Sequence, residues 1–457
     1  MKKLNILLFP TRFYPAISGG DFLLERLGRE FLRISKRSDL ERLNLQEMNV
    51  KVLTSNAIDF GALRGNGRII DTKHRYFSHY KNLDIYRYKS YHNSKNNSNR
   101  TQKQNLFEKL GYLTNLYVPE FASDLNPLIE NGPILSELID DLYFKRFEKK
   151  LPFIPQIIHC TYFPYLNILY SLLIARYFEI PACITPFLHF ANIRYQNEVF
   201  YSILQEFDLI FACTNYEKQV LLSHGIKEKQ IVVMPMGVDA QRFNQENYQE
   251  IFLKVYNPQK PLILFCGYKN FEKGALTLLK IIPYLDKKYK KCSIVFIGPS
   301  TTAFNYEMTN LKKIIKNVQI INISPENLAG MYDKKKIGVF QLADIYCMPS
   351  RSDAYGIAFL EAWATGTPVI AAKIPAMQEV VNEKKDGLLV EFDSIEELIQ
   401  AISTLIENPS LRTEMGIAGQ KKVLKNNNWT EIAVKTLQNY QEIIENHKKI
   451  KFRRKLK

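Results

Sequence analysis

Two carboxylates interrupt a stretch that otherwise reads as core. In "PSRSDAYGIAFLEAWATGTPVIAA", Pro349 to Ala372, most residues are apolar, small or glycine, yet Asp353 and Glu361 stand among them. "GIAFLEAWATG" has helical spacing, with Gly366 as a stop and Pro368 just beyond. Glu361 then lies one turn after Ile357 on the same face. Its neighbours Ala358, Leu360, Ala362 and Trp363 leave it little solvent. A carboxylate in such surroundings is costly unless something hydrogen-bonds it. The vicinal hydroxyls of a sugar or ribose suit it, because a carboxylate accepts two hydrogen bonds side by side. A lysine partner or a capped neighbouring loop is the structural alternative. Asp353 falls on the loop before the helix, where ligand contact and a helix N-cap are both open.

The backbone between the two acids adds a second kind of chemistry. The helix opens at "YGIA", so free N–H groups near Gly356 and Ile357 face outward at the positive end of the helix dipole. That is an anion site suited to a diphosphate. Gly356 lets a ligand approach the backbone closely. Acids for hydroxyls beside amides for phosphates describe a nucleotide sugar.

Such a site must be carried by a scaffold, and the scaffold is legible. Short apolar runs ("LNILLF", "QIIHC", "DLIFACT") alternate with helix-length patterns, and the rhythm restarts after residue 260 with "PLILFCG", "CSIVFIGP", "DIYCMPS" and "TPVIAA". Strands without polar alternation are buried on both faces, as in parallel sheets flanked by helices. At 457 residues the chain exceeds what one core usually serves. Two doubly wound α/β domains, 1–245 and 246–430, are expected, with ligand bound between them beyond the carboxyl ends of the strands. Residues 431–457 form a terminal helix and basic tail, expected to pack back on the first domain. The stretch from about Ala57 to Lys150 reads as an irregular insertion.

Composition narrows the class further. No apolar run reaches the roughly 18 residues of a membrane span. "MKKLNILLFPTRFYP" superficially resembles a signal peptide, but its apolar run is short and no small-residue cleavage site follows, so it reads as a first buried strand. Six scattered cysteines in or beside strands lack zinc spacing and fit a reducing, cytoplasmic setting. The net charge of +16 concentrates in "KSYHNSKNNSNRTQKQ" and in "KKIKFRRKLK". Neither segment interleaves basic residues with stacking aromatics, which argues against nucleic acid. The tail, with Phe452 and Leu456, suits peripheral attachment to an anionic membrane surface at its inner face.

With the site and scaffold assembled, a resemblance is evident. Asp353 and Glu361 with the intervening "AYGIAFL" resemble the E-x7-E signature of retaining glycosyltransferases of family GT4, the first acid shortened to Asp. "FYPAISGGD", "IPACITPFLHF", "VVMPMGVDAQRF", "LFCGYKNFEKGALTLLKII" and "GTPVIAAKIPAMQEVV" resemble further family segments in the same order. The resemblance implies the GT-B fold, two Rossmann-like domains facing across a cleft.

The resemblance also implies roles. Glu361 would hold the nucleotide ribose and Asp353 the donor-sugar hydroxyls. Lys273 would neutralise the donor diphosphate, and His189 would contact the reacting sugar or orient the acceptor. Gly19 and Gly20 form the loop approaching diphosphate and acceptor, while Tyr355, Gly356, Ile357 and Ala358 supply the amide-lined helix start. The family's arginine after the strand glycine is replaced by Tyr268, so Lys269 is expected to provide the second charge, or Lys273 to act with backbone donors alone. No metal or cofactor is expected, only a UDP- or GDP-sugar co-substrate and a glycan or lipid-linked acceptor, as in polysaccharide or glycolipid synthesis. A GT-B epimerase or phosphorylase is the alternative, and Glu361→Ala is expected to lose donor binding with folding intact.

Overall fold

The computed structural model describes residues 3–16, 19–36, 43–70, 77–90, 98–121, 125–151, 153–244, 246–328, 330 and 332–455. Side chains of 77–79, 98–103 and 451–455 are not described, so Phe452 is placed by backbone alone, and Leu456 lies outside the described residues, as does most of "KSYHNSK".

The first sheet contains β1 (Lys3–Pro10), β2 (Glu47–Ser55), β3 (Phe77–Tyr80), β4 (Leu83–Tyr88), β5 (Ile157–Thr161), β6 (Ala182–Ile184), β7 (Leu209–Ala212) and β8 (Ile231–Val233), ordered β3-β4-β2-β1-β5-β6-β7-β8. All neighbours are parallel except β3 and β4, with Ile6 opposite both Val50 and Ile157. The second holds β9 (Leu262–Cys266), β10 (Cys292–Ile297), β11 (Val318–Ile323), β12 (Ile345–Met348), β13 (Val369–Ala372) and β14 (Gly387–Val390), ordered β11-β10-β9-β12-β13-β14 and parallel throughout. The apolar runs that read as two-face-buried strands sit in these sheets: every residue of β5, β10, β12 and β13 is buried. The six cysteines are free thiols on or beside the strands.

Seven helices matter below: α1 (Gly19–Ile34), α2 (Asn215–Ser223), α3 (Ala275–Lys288), α4 (Lys334–Leu342), α5 (Ile357–Ala364), α6 (Pro375–Val380) and α7 (Trp429–Lys455). Side-chain caps set two of their starts. Thr214 accepts from Glu217 N, and Asp333 accepts from Lys335 N and Lys336 N, satisfying amides the helix cannot.

The chain passes between domains at Met236–Val238 and returns at Asn427–Asn428, and the two crossings are hydrogen-bonded: Val238 N to Asn427 O at 2.9 Å, Asn427 Nδ2 to Met236 O at 2.7 Å. The polar segment after the first crossing holds short helices at Ala240–Asn244 and Gln249–Tyr256. Helix α7 lies on the first domain, where Tyr440 meets His159 and Gln441 Nε2 donates to Leu43 O at 2.6 Å. No described helix is long and apolar enough to cross a membrane.

One expectation is corrected. The described residues of 57–150 are not an irregular insertion: β3 and β4 continue the first sheet there, and helices Ser98–Tyr117, Asn126–Asn131 and Ser136–Tyr143 follow. The strand "LDIYRY" hid itself behind two charges. Asp84 pairs with Lys51 of the adjacent strand, and the buried Arg87 donates to Tyr14 O at 2.6 Å.

Candidate active site

Three side chains expected to act together come from both domains and converge in the cleft. His189 follows β6; Lys273 precedes α3; Asp353 follows β12. Lys273 Nζ donates to Asp353 Oδ2 at 2.8 Å and to Ser352 O at 3.1 Å. Burial penalises the Asp353 carboxylate, but Lys273 and His189 outweigh it and hold its pKa below the ordinary 3.8. Asp353 is not the helix N-cap; Gly356 is, at φ 80°, a left-handed conformation that favours glycine.

Burial first, and the Lys273 cation second, push the His189 imidazole down to about 4, against opposing contributions from Asp353 and Ser352. His189 is therefore neutral near pH 7. Its Nε2 lies 3.1 Å from Tyr162 OH. Behind it the buried Glu217 carboxylate accepts from Leu188 N at 2.9 Å and from Cys213 N at 2.6 Å, which fixes the loop carrying His189.

The glycine loop and the start of α5 face each other across the cleft. A methyl on Gly19 would come within 3.2 Å of Ile357 Cδ1. No side chain caps α5, so its first amides keep their anion-binding character. Ile357 and Ala358 are half-buried there. Tyr355 turns its ring the other way, with its hydroxyl accepting from Asn427 Nδ2 at 3.1 Å, so this residue offers the cleft its backbone rather than its ring.

One expectation, for Lys269, is corrected here, and another, for Glu361, gains a partner. Glu361 is buried as expected, but its Oε1 accepts from Lys336 Nζ at 2.6 Å, and both side chains are 5% exposed. The lysine-paired alternative is the one observed, so one oxygen of the acid is satisfied without a sugar. Burial raises the Glu361 pKa, opposed by Lys336. Burial also works against the Lys336 ammonium, but Glu361 overcomes it and keeps it charged. Lys269 is fully buried and its Nζ donates to Asn322 Oδ1 at 2.6 Å and Ile323 O at 3.1 Å. It has no surface to offer a diphosphate; burial lowers its pKa to about 8. Tyr268, in the arginine's place, is 47% exposed.

The sequence comparisons decide the family. The model for glycosyl transferases group 1 matches residues 248–422, and that for glycosyltransferase family 4 matches 118–242. The chain belongs to the GT4 glycosyltransferases. It is 26% identical over 241 residues to a D-inositol 3-phosphate glycosyltransferase of Pseudarthrobacter chlorophenolicus, covering 52% of this chain and 56% of that one. It is 24% identical over 237 residues to a GDP-mannose-dependent alpha-(1-6)-phosphatidylinositol monomannoside mannosyltransferase of Mycobacterium tuberculosis, covering 50% and 60%. The chain thus spans about half the length of the curated relatives it matches. Among solved structures it resembles sucrose-phosphate synthase from Thermosynechococcus elongatus (TM-score 0.68, 17% identity, 97% of this chain and 100% of that one). It also resembles Anabaena HepE in complex with UDP and glucose (TM-score 0.64, 12% identity, 95% and 99%). These likenesses place the two sheets in the GT-B fold.

In this GT4 chain, reading the residues in order missed Lys336, Tyr162 and Glu217. Lys336 left one signal, a lysine at an otherwise apolar position of "KKKIGVFQL". Tyr162 and Glu217 left none, since their contacts join segments distant in sequence. Glu379 of α6 binds across the cleft, accepting from Asn215 N at 2.8 Å and from Tyr216 N at the start of α2.

Two expected results arise here. A methyl on Gly20 would meet the Tyr162 ring at 2.5 Å and displace the partner of His189. Gly20→Ala should lower kcat on the order of tenfold or more. Gly19→Ala, which meets only the mobile end of Ile357, should be milder; equal kcat for Gly20→Ala and the parent would break this link. The second result concerns pH. His189 and His159 are held at about 4 and about 3, below the ordinary 6.5. As pH falls, the unfolded chain takes up these protons first. Their contribution to stability is present above about 6.5 and is lost progressively as pH falls toward 4 and below. Urea midpoints should drop between pH 7 and 5, and kcat/KM should show no imidazole inflection near 6.5.

Proposed function

We propose that this GT4 chain transfers a sugar from a nucleotide-diphosphate donor to a glycan or lipid-linked acceptor, with retention of anomeric configuration and without a metal. The observation that carries the reading is the meeting of His189 with Lys273 and Asp353 beneath the uncapped start of α5. The printed names of relatives, GDP-mannose-dependent in one and bound to UDP and glucose in another, support a UDP- or GDP-sugar.

The bond from the anomeric carbon to the diphosphate breaks, and the acceptor oxygen bonds to that carbon on the same face. The acceptor proton passes to the departing diphosphate oxygen. Lys273 donates two of its three N–H groups to Asp353 and Ser352, and the third, without a partner among the described residues, serves the diphosphate. Together with the α5 amides it stabilises charge growing on the leaving group. Asp353, held ionised by Lys273, accepts from donor-sugar hydroxyls. Neutral His189 donates or accepts a hydrogen bond at the reacting sugar. Closure about Met236–Val238 and Asn427–Asn428 excludes water and suppresses donor hydrolysis.

The test is a panel of UDP-, GDP- and ADP-sugars read by acceptor-independent hydrolysis, followed by NMR of the product anomer. Inverted product would remove retention, and epimerised donor without transfer would favour the epimerase reading. Activity should persist in EDTA, because Lys273 and backbone amides take the place of a cation. Full loss in EDTA, restored by Mn²⁺, would overturn that part.

A further inference from the structure

The Lys336–Glu361 pair is a buried charge cluster that packing alone does not explain. Lys336 is the third residue of α4, whose start carries Lys334, Lys335 and Lys336 against the positive end of the helix dipole. Local preference therefore disfavours this lysine. Buried ion pairs are also often matched or bettered by apolar side chains of similar volume. A device that breaks a local rule without a gain in stability points to function.

Its hydrogen bonding points to a ligand of particular chemistry. An ammonium has three N–H donors, and among the described residues Lys336 uses one, to Glu361 Oε1. Glu361 Oε2 accepts nothing from the described residues. Two donors and one anionic acceptor are thus left together, with Lys336 4% and Glu361 3% exposed. They lie at the carboxyl ends of the second sheet: Cys266, the last residue of β9, feels both charges, and Tyr346 of β12 feels Glu361. A hydroxyl can give a proton to Oε2 and accept one from Nζ. A vicinal diol can do both at once.

We propose that Lys336 and Glu361 read the ribose diol as one unit, Glu361 Oε2 accepting from one hydroxyl and Lys336 Nζ donating to a hydroxyl oxygen. This rests on the nucleotide-donor reading above and alters it at one point: the ribose meets an ion pair, not a lone carboxylate. Lys336 has a second effect, holding Glu361 Oε1 so that Oε2 is the oxygen presented.

Calorimetric titration tests this, with UDP, GDP and their 2′,3′-dideoxy counterparts as probes against the parent, Lys336→Met and Glu361→Gln chains. The parent should prefer ribose over dideoxyribose on the order of ten- to hundredfold. That ratio should fall toward one in both variants, a change that a purely structural lysine would not produce. If Lys336→Met does not fold, Lys336→Gln should lower the ratio in the same direction by a smaller factor, because its amide is shorter and donates without charge. A parent-like ratio in a folded Lys336 variant overturns the inference and leaves the donor reading standing. A parent that binds neither nucleotide overturns the donor reading itself.

Discussion

Lys273→Met should lower kcat on the order of 10²- to 10³-fold, the usual consequence of removing a preorganised donor from developing charge. The side chain sits 2.8 Å from Asp353 and 3.1 Å from Ser352 O, so it is held in place before substrate arrives. In the proposed reaction, charge on the leaving diphosphate grows as the glycosidic bond breaks, so kcat should fall more than donor KM rises. The variant also removes the counter-ion that keeps Asp353 ionised, so the Asp353 pKa should rise and part of the loss should recover at higher pH. Steady-state kinetics at saturating donor across a pH series would check both statements. A kcat within about threefold of the parent would show that the α5 amides suffice without Lys273.

Glu361→Ala should have the other large effect, and it should reach beyond binding. Donor KM should rise at least tenfold, as expected when the proposed charged hydrogen bond to the ribose is lost. Stability should fall as well, whereas the sequence alone suggests that folding is untouched. Removing the acid strands the Lys336 ammonium in a site 5% exposed, and breaking a buried pair from one side costs about 3–5 kcal/mol. The double variant Glu361→Ala/Lys336→Met should recover most of that stability while donor KM stays high. Urea denaturation and donor kinetics on the single and double variants separate the two effects. A Glu361→Ala chain as stable as the parent would mean that Lys336 finds another partner or water.

The two outcomes differ because the two acids differ in what a sequence can reveal. Both were legible as acids in an apolar run, since a charge among small and apolar residues stands out without any knowledge of the fold. Asp353, expected at the donor-sugar hydroxyls, proved to be beside Lys273, expected at the diphosphate. For Glu361 a lysine partner was legible only as an alternative, and which lysine was not legible at all. Lys336 lies 25 residues earlier in the chain, on a helix whose neighbour is set by sheet order and not by spacing. Lys269 was misjudged for the same reason. Its adjacency to Gly267 suggested the cleft, but its side chain runs to Asn322 and Ile323 of β11. Similarly, β4 escaped notice because Asp84 and Arg87 broke its apolar run, and the contacts that neutralise them come from β2 and from Tyr14.

What this sequence determined unaided is local: apolar runs too uniform for half-exposed strands, helix starts marked by Gly and Pro, and a phosphate-ready helix entrance between two acids. These follow from short-range sterics and from the period at which side chains repeat, and they suffice for two parallel α/β domains. Which charges meet was decided only when the sheets assembled. His189 reaches Asp353 and Lys273 from the opposite domain, and Lys336 reaches Glu361 from a neighbouring helix. Electrostatic partners are chosen by distance in space, falling off within a few ångströms, and no spacing along the chain encodes that distance.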